Sequence, residues 1–488
     1  MRNNYINLVI IICIFQIIQG VQAQNKTELE VKVLAADKTM QNAVLGIYVK
    51  NLTTGTVLSA FNEEKSLVPA SVNKILCTGA ALSLLGKDYK FETVLKYYGT
   101  ISKEGLLQGS VEIKGGGDPT LCNTRLGKEY SQDSIFDNWY KALVKAGIKT
   151  IEGEISFDES IYEDNMLPGG YQWEDMGNYY GCGASGLNYN ENYFTITFKS
   201  GQKLYDSTKI IKINPEIPGL IIKNKVLTGK TGSGDNCIIY GSPNSDLRFA
   251  EGTIPADLSQ FEVKGSIPSP ARALIYNFEK YLTAKGIIIK NKALYRLNNL
   301  SAAQASRLYT HYSASLKEII KLTNTKSINI YAESLLKLCG YKQKGKGSTA
   351  AGIEAVQDYW QSRAVKLVGL QMNDGSGLSP TNRLTAKISV DVLSDIYKNK
   401  DIYESFNQSL AVGGESGSVK NIFKDSPYAN NIKVKSGYMK GVRAYAGYIT
   451  NRKNQTFAFT IIVNNYNCTP SEMKNKLEKI MLSIAESE

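Results

Sequence analysis

Three short motifs follow one another along this sequence, and their residue types could together carry out acyl transfer on a serine. They are Ser71-Val72-Asn73-Lys74, Ser327-Ile328-Asn329 and Lys435-Ser436-Gly437. Each motif is common by itself, since Ser-x-x-Lys recurs at 200–203, 334–337 and 471–474. The prediction therefore depends on the order of the three motifs and on the local setting of each.

Ser71 and Lys74 are spaced for contact within one helix. Pro69 favours helix entry, and residues three apart in the predicted helix over 71–85 share a face. A serine becomes a nucleophile when a base takes its proton, and lysine can be that base if burial and a neighbouring cation such as Lys435 lower its pKa. The alternative is an ordinary helix start with a surface lysine.

Ser327 and Asn329 stand at the start of a predicted amphipathic helix. The structural alternative is simple helix capping. In the functional interpretation, the Ser327 hydroxyl joins a proton relay towards a leaving group. The Asn329 amide then orients Lys74 and binds a substrate carbonyl.

Lys435-Ser436-Gly437 falls on a predicted strand, with a second strand over 442–450. An edge strand can pair with an extended peptide, and glycine permits close approach. Lys435 and Ser436 could hold a terminal carboxylate. Lys230-Thr231-Gly232 is rejected as the active motif because it lies in a glycine-rich turn and precedes the Ser-x-Asn candidate at Ser327.

The chain contains a single histidine, His311, in a Tyr-Thr-His-Tyr-Ser setting without a nearby acid. A multi-histidine metal site is thus excluded, and no Gly-x-Ser-x-Gly elbow occurs. We expect a hydrolase whose base is not histidine, with no metal and no cofactor.

Alternating strands are predicted at both ends of the chain, within 43–62 and at 432–438, 442–450 and 456–464, with a final helix over 471–485. One antiparallel sheet built from both termini is expected, giving an α/β (α+β) fold with flanking helices. The segment between is rich in Gly, Tyr and Asn and has short alternating runs. The predicted division is a catalytic domain of 24–95 plus 296–488, and one or two mostly β domains inserted at 96–295. The inner insertion is expected at about 190–255.

Hydrophobic residues make up 43% of the chain and charged residues 21%, as in a folded protein. The net charge of +12 is scattered rather than clustered, which argues against a nucleic-acid partner. Peripheral attraction to an anionic wall or membrane surface needs less clustering. A merely solvated basic surface is the alternative.

The N-terminal segment 1–23 reads as a cleaved secretory signal, with Arg2, an apolar run over 8–18 and a small residue, Ala23, at the expected cut. We therefore expect an exported, periplasmic protein. Six cysteines remain after cleavage, without a C-x-x-C pair: Cys77, Cys122, Cys182, Cys237, Cys339 and Cys468. Export permits disulfides, but free thiols are an equal alternative and no pairing can be chosen.

The ordered motifs resemble those of a low-molecular-mass penicillin-binding protein of class C, a serine peptidase of the D-alanyl-D-alanine carboxypeptidase/endopeptidase type with a large insertion. Val68-Pro69-Ala70-Ser71 resembles the family's approach to its nucleophile, and blocks 115–121 and 374–379 resemble its other recurrent segments. The likeness covers nearly the whole mature chain. It implies a catalytic domain split by two further domains.

The resemblance also implies roles. Ser71 would be acylated by a D-Ala-D-Ala peptidoglycan stem peptide with Lys74 as base, and β-lactams would acylate the same serine. Ser327 and Asn329 would form the second element, and Lys435, Ser436 and Gly437 the third. The backbone N–H groups of Ser71 and Tyr438 would form the oxyanion hole.

Two positions depart from the family pattern. Ile328 replaces the usual Asp, and Lys-Ser-Gly-Tyr replaces Lys-Thr-Gly-Thr, so that Tyr438 could narrow the site. The alternatives are a β-lactamase or esterase on the same site, and a non-catalytic cell-wall-binding protein. The balance between carboxypeptidase and endopeptidase action stays open.

Overall fold

The computed structural model describes residues 25–291, 305–424 and 426–487. The predicted signal segment lies outside the described residues. Within the described ranges, no helix is both long and apolar enough to cross a membrane. All six cysteines of the expected mature chain are free thiols in this structure.

Helices and strands alternate irregularly along the chain, and both are numbered here in chain order. The helices are α1 Lys26–Ala35, α2 Lys74–Leu85, α3 Gln132–Lys145, α4 Trp173–Met176, α5 Pro270–Ala284, α6 Leu316–Thr325, α7 Asn329–Lys344, α8 Thr349–Ser362, α9 Ala386–Lys398, α10 Lys400–Ser409 and α11 Pro470–Ala485. The strands are β1 Val44–Asn51, β2 Val57–Phe61, β3 Glu92–Ile101, β4 Leu106–Lys114, β5 Thr150–Ile151, β6 Ile155–Asp158, β7 Tyr193–Lys199, β8 Lys209–Asn214, β9 Ile221–Thr228, β10 Asn236–Tyr240, β11 Leu247–Ile254, β12 Phe261–Ser266, β13 Ile288–Ile289, β14 Ala305–Tyr312, β15 Ala411–Val412, β16 Ile432–Met439, β17 Val442–Thr450 and β18 Thr456–Asn464.

One six-stranded antiparallel sheet joins the two ends of the chain, in the order β15-β16-β17-β18-β1-β2. The predicted sheet built from both termini is therefore confirmed. Strand β1 pairs with β18 along its full length, from Val44 opposite Asn464 to Asn51 opposite Phe457. This pairing brings the nucleophile segment, which follows β2, next to the strands of the third motif.

Both faces of this sheet are covered by helices. Successive side chains of a strand point to opposite faces, and in β18 Phe459 and Ile461 enter the core beneath α1 and α11. Ala458 and Ile462 enter the larger core formed with α2 and α6 to α10. Burial on both faces explains why β18 is an almost continuous apolar run in the sequence.

A second six-stranded sheet, β13-β5-β4-β3-β14 with β6 beside β4, packs on α3 and α5. Two three-stranded sheets, β10-β11-β9 and β12-β7-β8, complete the inserted part. Trp139 of α3 and Phe278 of α5 meet in its core, with ring centroids 5.1 Å apart. Strand β14, which the predicted division assigns to the catalytic segment, pairs with β3. The domain division itself stays a prediction.

Candidate active site

The nucleophile segment begins with a tight turn. A 3₁₀ turn over Ala70–Asn73 precedes α2, where the sequence predicted a continuous helix from Ser71. Ala70 has φ +46°, a left-handed conformation that few non-glycine residues adopt. Ser71 thus lies half-buried at the entry to α2, and Lys74 is the first residue of that helix.

Lys74 is fully buried and makes three hydrogen bonds. Its Nζ donates to Ser71 Oγ at 2.9 Å, to Asn329 Oδ1 at 2.7 Å and to the Ser376 carbonyl oxygen at 2.6 Å. These three acceptors match the three protons of an ammonium group. After loss of one proton, the bonds to Asn329 and Ser376 can persist while the lone pair faces the Ser71 hydroxyl. The geometry suits a lysine acting as general base.

Burial lowers the pKa of Lys74 from its usual 10.5 to about 8. The carboxylates of Glu333 and Asp374 have the opposite effect and raise this pKa. Burial, and then the charge of Lys74, lowers the pKa of Lys435 well below its usual range. From the sequence, the charge of Lys435 was expected to contribute to the lowered pKa of Lys74. In the structure, burial is the main cause for both lysines.

The second motif lies beside Lys74. Ser327 precedes α7 with φ +59°, and the N-cap position belongs to Ile328, which makes no side-chain cap. Simple capping by Ser327 is therefore not its role. The Ser327 hydroxyl accepts a hydrogen bond from Lys435 Nζ at 2.9 Å. The Asn329 amide nitrogen donates to the Tyr180 carbonyl oxygen at 2.8 Å, which ties the inserted part to the site.

The third motif lies on β16, where β15 covers only Lys433 and Val434. On that side, residues 435–439 have no partner among the described strands, so the predicted open edge for an extended peptide is present. Lys435 is buried and also donates to the Ser436 carbonyl oxygen at 2.7 Å. The Ser436 hydroxyl lies 2.6 Å from the Ser418 hydroxyl, so two hydroxyl groups stand together beside this edge.

Gly437 has a second role beside the predicted close approach of substrate. A Cβ at this position would lie 2.5 Å from the Pro69 carbonyl oxygen and 3.2 Å from the Ser71 nitrogen. The missing side chain therefore makes room for the nucleophile turn rather than for substrate alone. Tyr438 is 55% exposed, and its ring faces the Arg443 guanidinium at 5.3 Å.

The loop over 374–379 completes the site, although the sequence analysis gave it no role. The Asp374 carboxylate accepts hydrogen bonds from the backbone nitrogens of Gly377 at 2.5 Å and Ser379 at 2.8 Å. Glu333, four residues after Asn329 on α7, is buried beneath the same loop. The sequence held one signal for Glu333, since it places a carboxylate on the apolar face of a predicted helix. Acidic side chains are rarely buried unless they are paired.

The other sequence candidates lie elsewhere. The turn over 230–232 is exposed between β9 and β10. His311 is buried on β14, and its Nε2 atom has no hydrogen-bond partner among the described residues. Lys337, of a second Ser-x-x-Lys match, donates to the carbonyl oxygens of Asn165 and Ala184 at 2.8 and 3.2 Å. Among the described residues, no group of three or more His, Cys, Asp or Glu side chains could hold a metal ion.

A cleft of about 460 Å³ adjoins the second motif. Its walls come from the inserted part and from the segment before α7, and they carry tyrosines and charges of both signs. The lining includes Arg125, Tyr179, Tyr180, Tyr193, Asp235, Glu262, Lys264, Ser327 and Asn329.

Comparison with known proteins gives concordant results. The profile of the D-Ala-D-Ala carboxypeptidase 3 (S13) family matches residues 27–486. A D-alanyl-D-alanine carboxypeptidase of Actinomadura sp. is 27% identical over 457 residues, which cover 90% of this chain and 80% of that protein. The D-alanyl-D-alanine carboxypeptidase DacB of Haemophilus influenzae is 24% identical over 444 residues, covering 90% and 89%.

The fold is shared with a solved structure. The crystal structure of penicillin binding protein 4 (dacB) from Haemophilus influenzae superposes with a TM-score of 0.79 at 22% identity. The match covers 91% of this chain and 97% of that one.

Proposed function

Because the chain belongs to the D-Ala-D-Ala carboxypeptidase 3 (S13) family, we propose that the cluster around Ser71 is its catalytic site. The enzyme is a serine-type D-Ala-D-Ala carboxypeptidase. The observation that carries the assignment is the contact between Lys74 Nζ and Ser71 Oγ at 2.9 Å, with the amine fully buried. In this proposal Ser71 is the nucleophile and Lys74 its base.

Two of the proton transfers use contacts described above, those between Lys74 and Ser71 and between Lys435 and Ser327. Lys74 takes the Ser71 proton as the oxygen attacks the scissile carbonyl, and the N–H groups of Ser71 and Tyr438 receive the oxyanion. Ser327 protonates the leaving amine and is reprotonated by Lys435, whose Nζ lies 2.9 Å away. In hydrolysis of the ester, Lys74 returns its proton to Ser71. The attacking water gives up a proton that converts Lys435 back to its ammonium form.

Recognition of the substrate would use the open edge of β16. The extended stem peptide would pair with residues 435–439, and the hydroxyl groups of Ser436 and Ser418 with Lys435 would receive its terminal carboxylate. Such an anchor favours cleavage next to a free C-terminus. We therefore propose carboxypeptidase action as the main activity, with cleavage of crosslinks second.

β-Lactams are proposed to acylate Ser71 as well. The solved structure of Haemophilus influenzae penicillin binding protein 4 has also been described in complex with a β-lactam. A fluorescent penicillin tests the nucleophile directly. We expect covalent labelling of the wild type and loss of labelling in Ser71→Ala.

The matched control is Ser471→Ala, because Ser471 also begins a Ser-x-x-Lys match but is exposed at the start of α11. This variant should label like the wild type. Labelling that survives in Ser71→Ala would refute the assignment.

A pentapeptide ending in D-Ala-D-Ala should release D-Ala, whereas turnover of β-lactam alone would favour the β-lactamase alternative. Digestion of purified crosslinked dimers, followed by chromatography, measures the endopeptidase share.

Export and wall association are part of the proposal. The signal-like segment over 1–23 supports a periplasmic location, where this substrate occurs. A cleft of about 520 Å³ lies at the C-terminal ends of α2 and α7 and contains Lys90, Arg307 and Lys342. None of these three cations forms an ion pair within the described residues, so the cleft supports attraction to an anionic wall polymer.

Co-sedimentation with purified peptidoglycan tests this attraction. Replacing the three cations by Gln should weaken binding severalfold at low salt and less at high salt. The control neutralises three exposed lysines outside the cleft: Lys223, Lys398 and Lys453. An equal loss of binding in both triple variants would indicate that net charge, rather than the cleft, attracts the protein to peptidoglycan.

A further inference from the structure

Glu333 lies directly beneath the loop over 374–379, whose Ser376 carbonyl oxygen accepts a hydrogen bond from Lys74. Its side chain is fully buried, and its Oε2 accepts a hydrogen bond from the Gly375 nitrogen at 3.1 Å. Its Oε1 accepts from the Ser376 nitrogen at 2.8 Å and from the Tyr171 hydroxyl at 3.1 Å. The peptide unit on the other side of Ser376 then presents its carbonyl oxygen to Lys74.

We propose that Glu333 is a positioning residue for Lys74, which it controls in two ways. It fixes the loop so that the Ser376 carbonyl oxygen stands 2.6 Å from Lys74 Nζ. It also supplies a buried negative charge close to Lys74, which sets the pH above which the amine can act as the base. The inference rests on the proposed function, in which Lys74 is the base.

The titratable groups around Glu333 and Lys74 come from five parts of the structure. Glu333 is faced by Asp374 and Tyr171 from their loops, by Lys74 and Cys77 from α2, and by Lys337 on its own helix. Lys435 faces Lys74 from β16. The Asp374 carboxylate accepts from four donors, the nitrogens of Gly377 and Ser379, the Ser376 hydroxyl and the Asn382 amide.

The expected direction follows from these neighbours. Burial and Asp374 raise the pKa of Glu333 to about 7, while its two backbone N–H donors favour the ionised form. The carboxylate raises the pKa of Lys74. Without it, Lys74 should become a free base at lower pH, by about one pH unit, as expected for loss of a close opposite charge.

The experiment measures the rate of acylation by a fluorescent penicillin across pH 5 to 10. In Glu333→Gln, the acid limb of the profile should move down by about one pH unit. The plateau should also fall about tenfold, because an amide group cannot accept from both backbone nitrogens. Glu333→Asp keeps the charge and shortens the side chain, so its plateau should fall while the acid limb stays in place.

A purely structural role for Glu333 predicts lower plateaus in both variants with no movement of either acid limb, and that result would overturn the proposal. If Glu333→Gln does not fold, Tyr171→Phe gives the second measurement. It removes one donor to the carboxylate, which raises the pKa of Glu333, and the acid limb should again move to lower pH. If the acid limb of the Tyr171→Phe profile does not move, the proposal is also overturned. Absence of Ser71-dependent labelling in the wild type would instead refute the proposed function.

Discussion

Gly377 gives the sharpest test of how the loop over 374–379 supports the nucleophile. It has φ +80°, and a Cβ added there would lie 1.9 Å from the Ala70 carbonyl oxygen. The atom in the way is backbone, so no side-chain rotation can relieve the overlap. Replacing Gly377 by Ala should therefore push the loop and the Ser71 turn apart.

The size of the effect follows from these distances. The left-handed backbone costs an alanine about 1–2 kcal/mol, and overpacking adds about 1–3 kcal/mol. We expect the free energy of unfolding to fall by about 2–4 kcal/mol. To reach ordinary separation the two backbones must move by about 1 Å, and misplacement on that scale costs about 100-fold in rate.

Penicillin acylation rates and urea unfolding measure the two effects separately. Gly345→Ala is the matched control, because Gly345 has φ +72° and a Cβ there meets nothing within 4 Å. It should lose only about 1–2 kcal/mol and acylate at the wild-type rate. If Gly377→Ala behaves like this control, the contact between the loop and the nucleophile turn does not set the reactivity of Ser71.

Three further predictions use other parts of the molecule. Burial lowers the pKa of His311 from 6.5 to about 4. Between these two pH values the unfolded state binds a proton at His311 that the folded state does not bind. The free energy of unfolding should therefore fall as pH drops from 6.5 to 4. The loss should total about 3 kcal/mol and be absent in His311→Phe, as measured by urea unfolding at several pH values. Lys337→Met should cost about 3 kcal/mol in chemical denaturation, because buried carbonyl oxygens at Asn165 and Ala184 lose a charged donor; an unchanged stability would contradict this. Tyr438→Thr should change acylation by a small penicillin less than threefold and by one with a bulky side chain more, since the ring is exposed beside β16; equal rates for both would show that the ring does not narrow the site.

The sequence predicted those contacts that depend on local spacing. Ser71 and Lys74 meet because residues three apart share a face, even though the turn that carries Ser71 is 3₁₀ rather than α-helical. The sheet from both termini was predictable because β1, β17 and β18 alternate or run apolar in recognisable lengths.

The remaining site contacts come from tertiary structure. Lys74 and the Ser376 carbonyl oxygen lie 302 residues apart in the chain, and any residue type offers a carbonyl. Sequence pattern therefore cannot identify this acceptor. Likewise, the left-handed backbone of Ala70 occurs where the chain passes close to Gly377 and Gly437, and no local propensity encodes that approach.

The sheet that joins the two termini also determines when activity can arise during synthesis. The Val68 nitrogen donates to Asn464 Oδ1 across 396 residues, so the segment leading to Ser71 gains this support only after nearly the whole chain has left the ribosome. Contacts of such long range form late and slowly. The nascent chain should remain unable to cut peptide bonds until β18 is added. A truncation just before Thr456 should then accumulate as an inactive, protease-sensitive product, even though every motif is present.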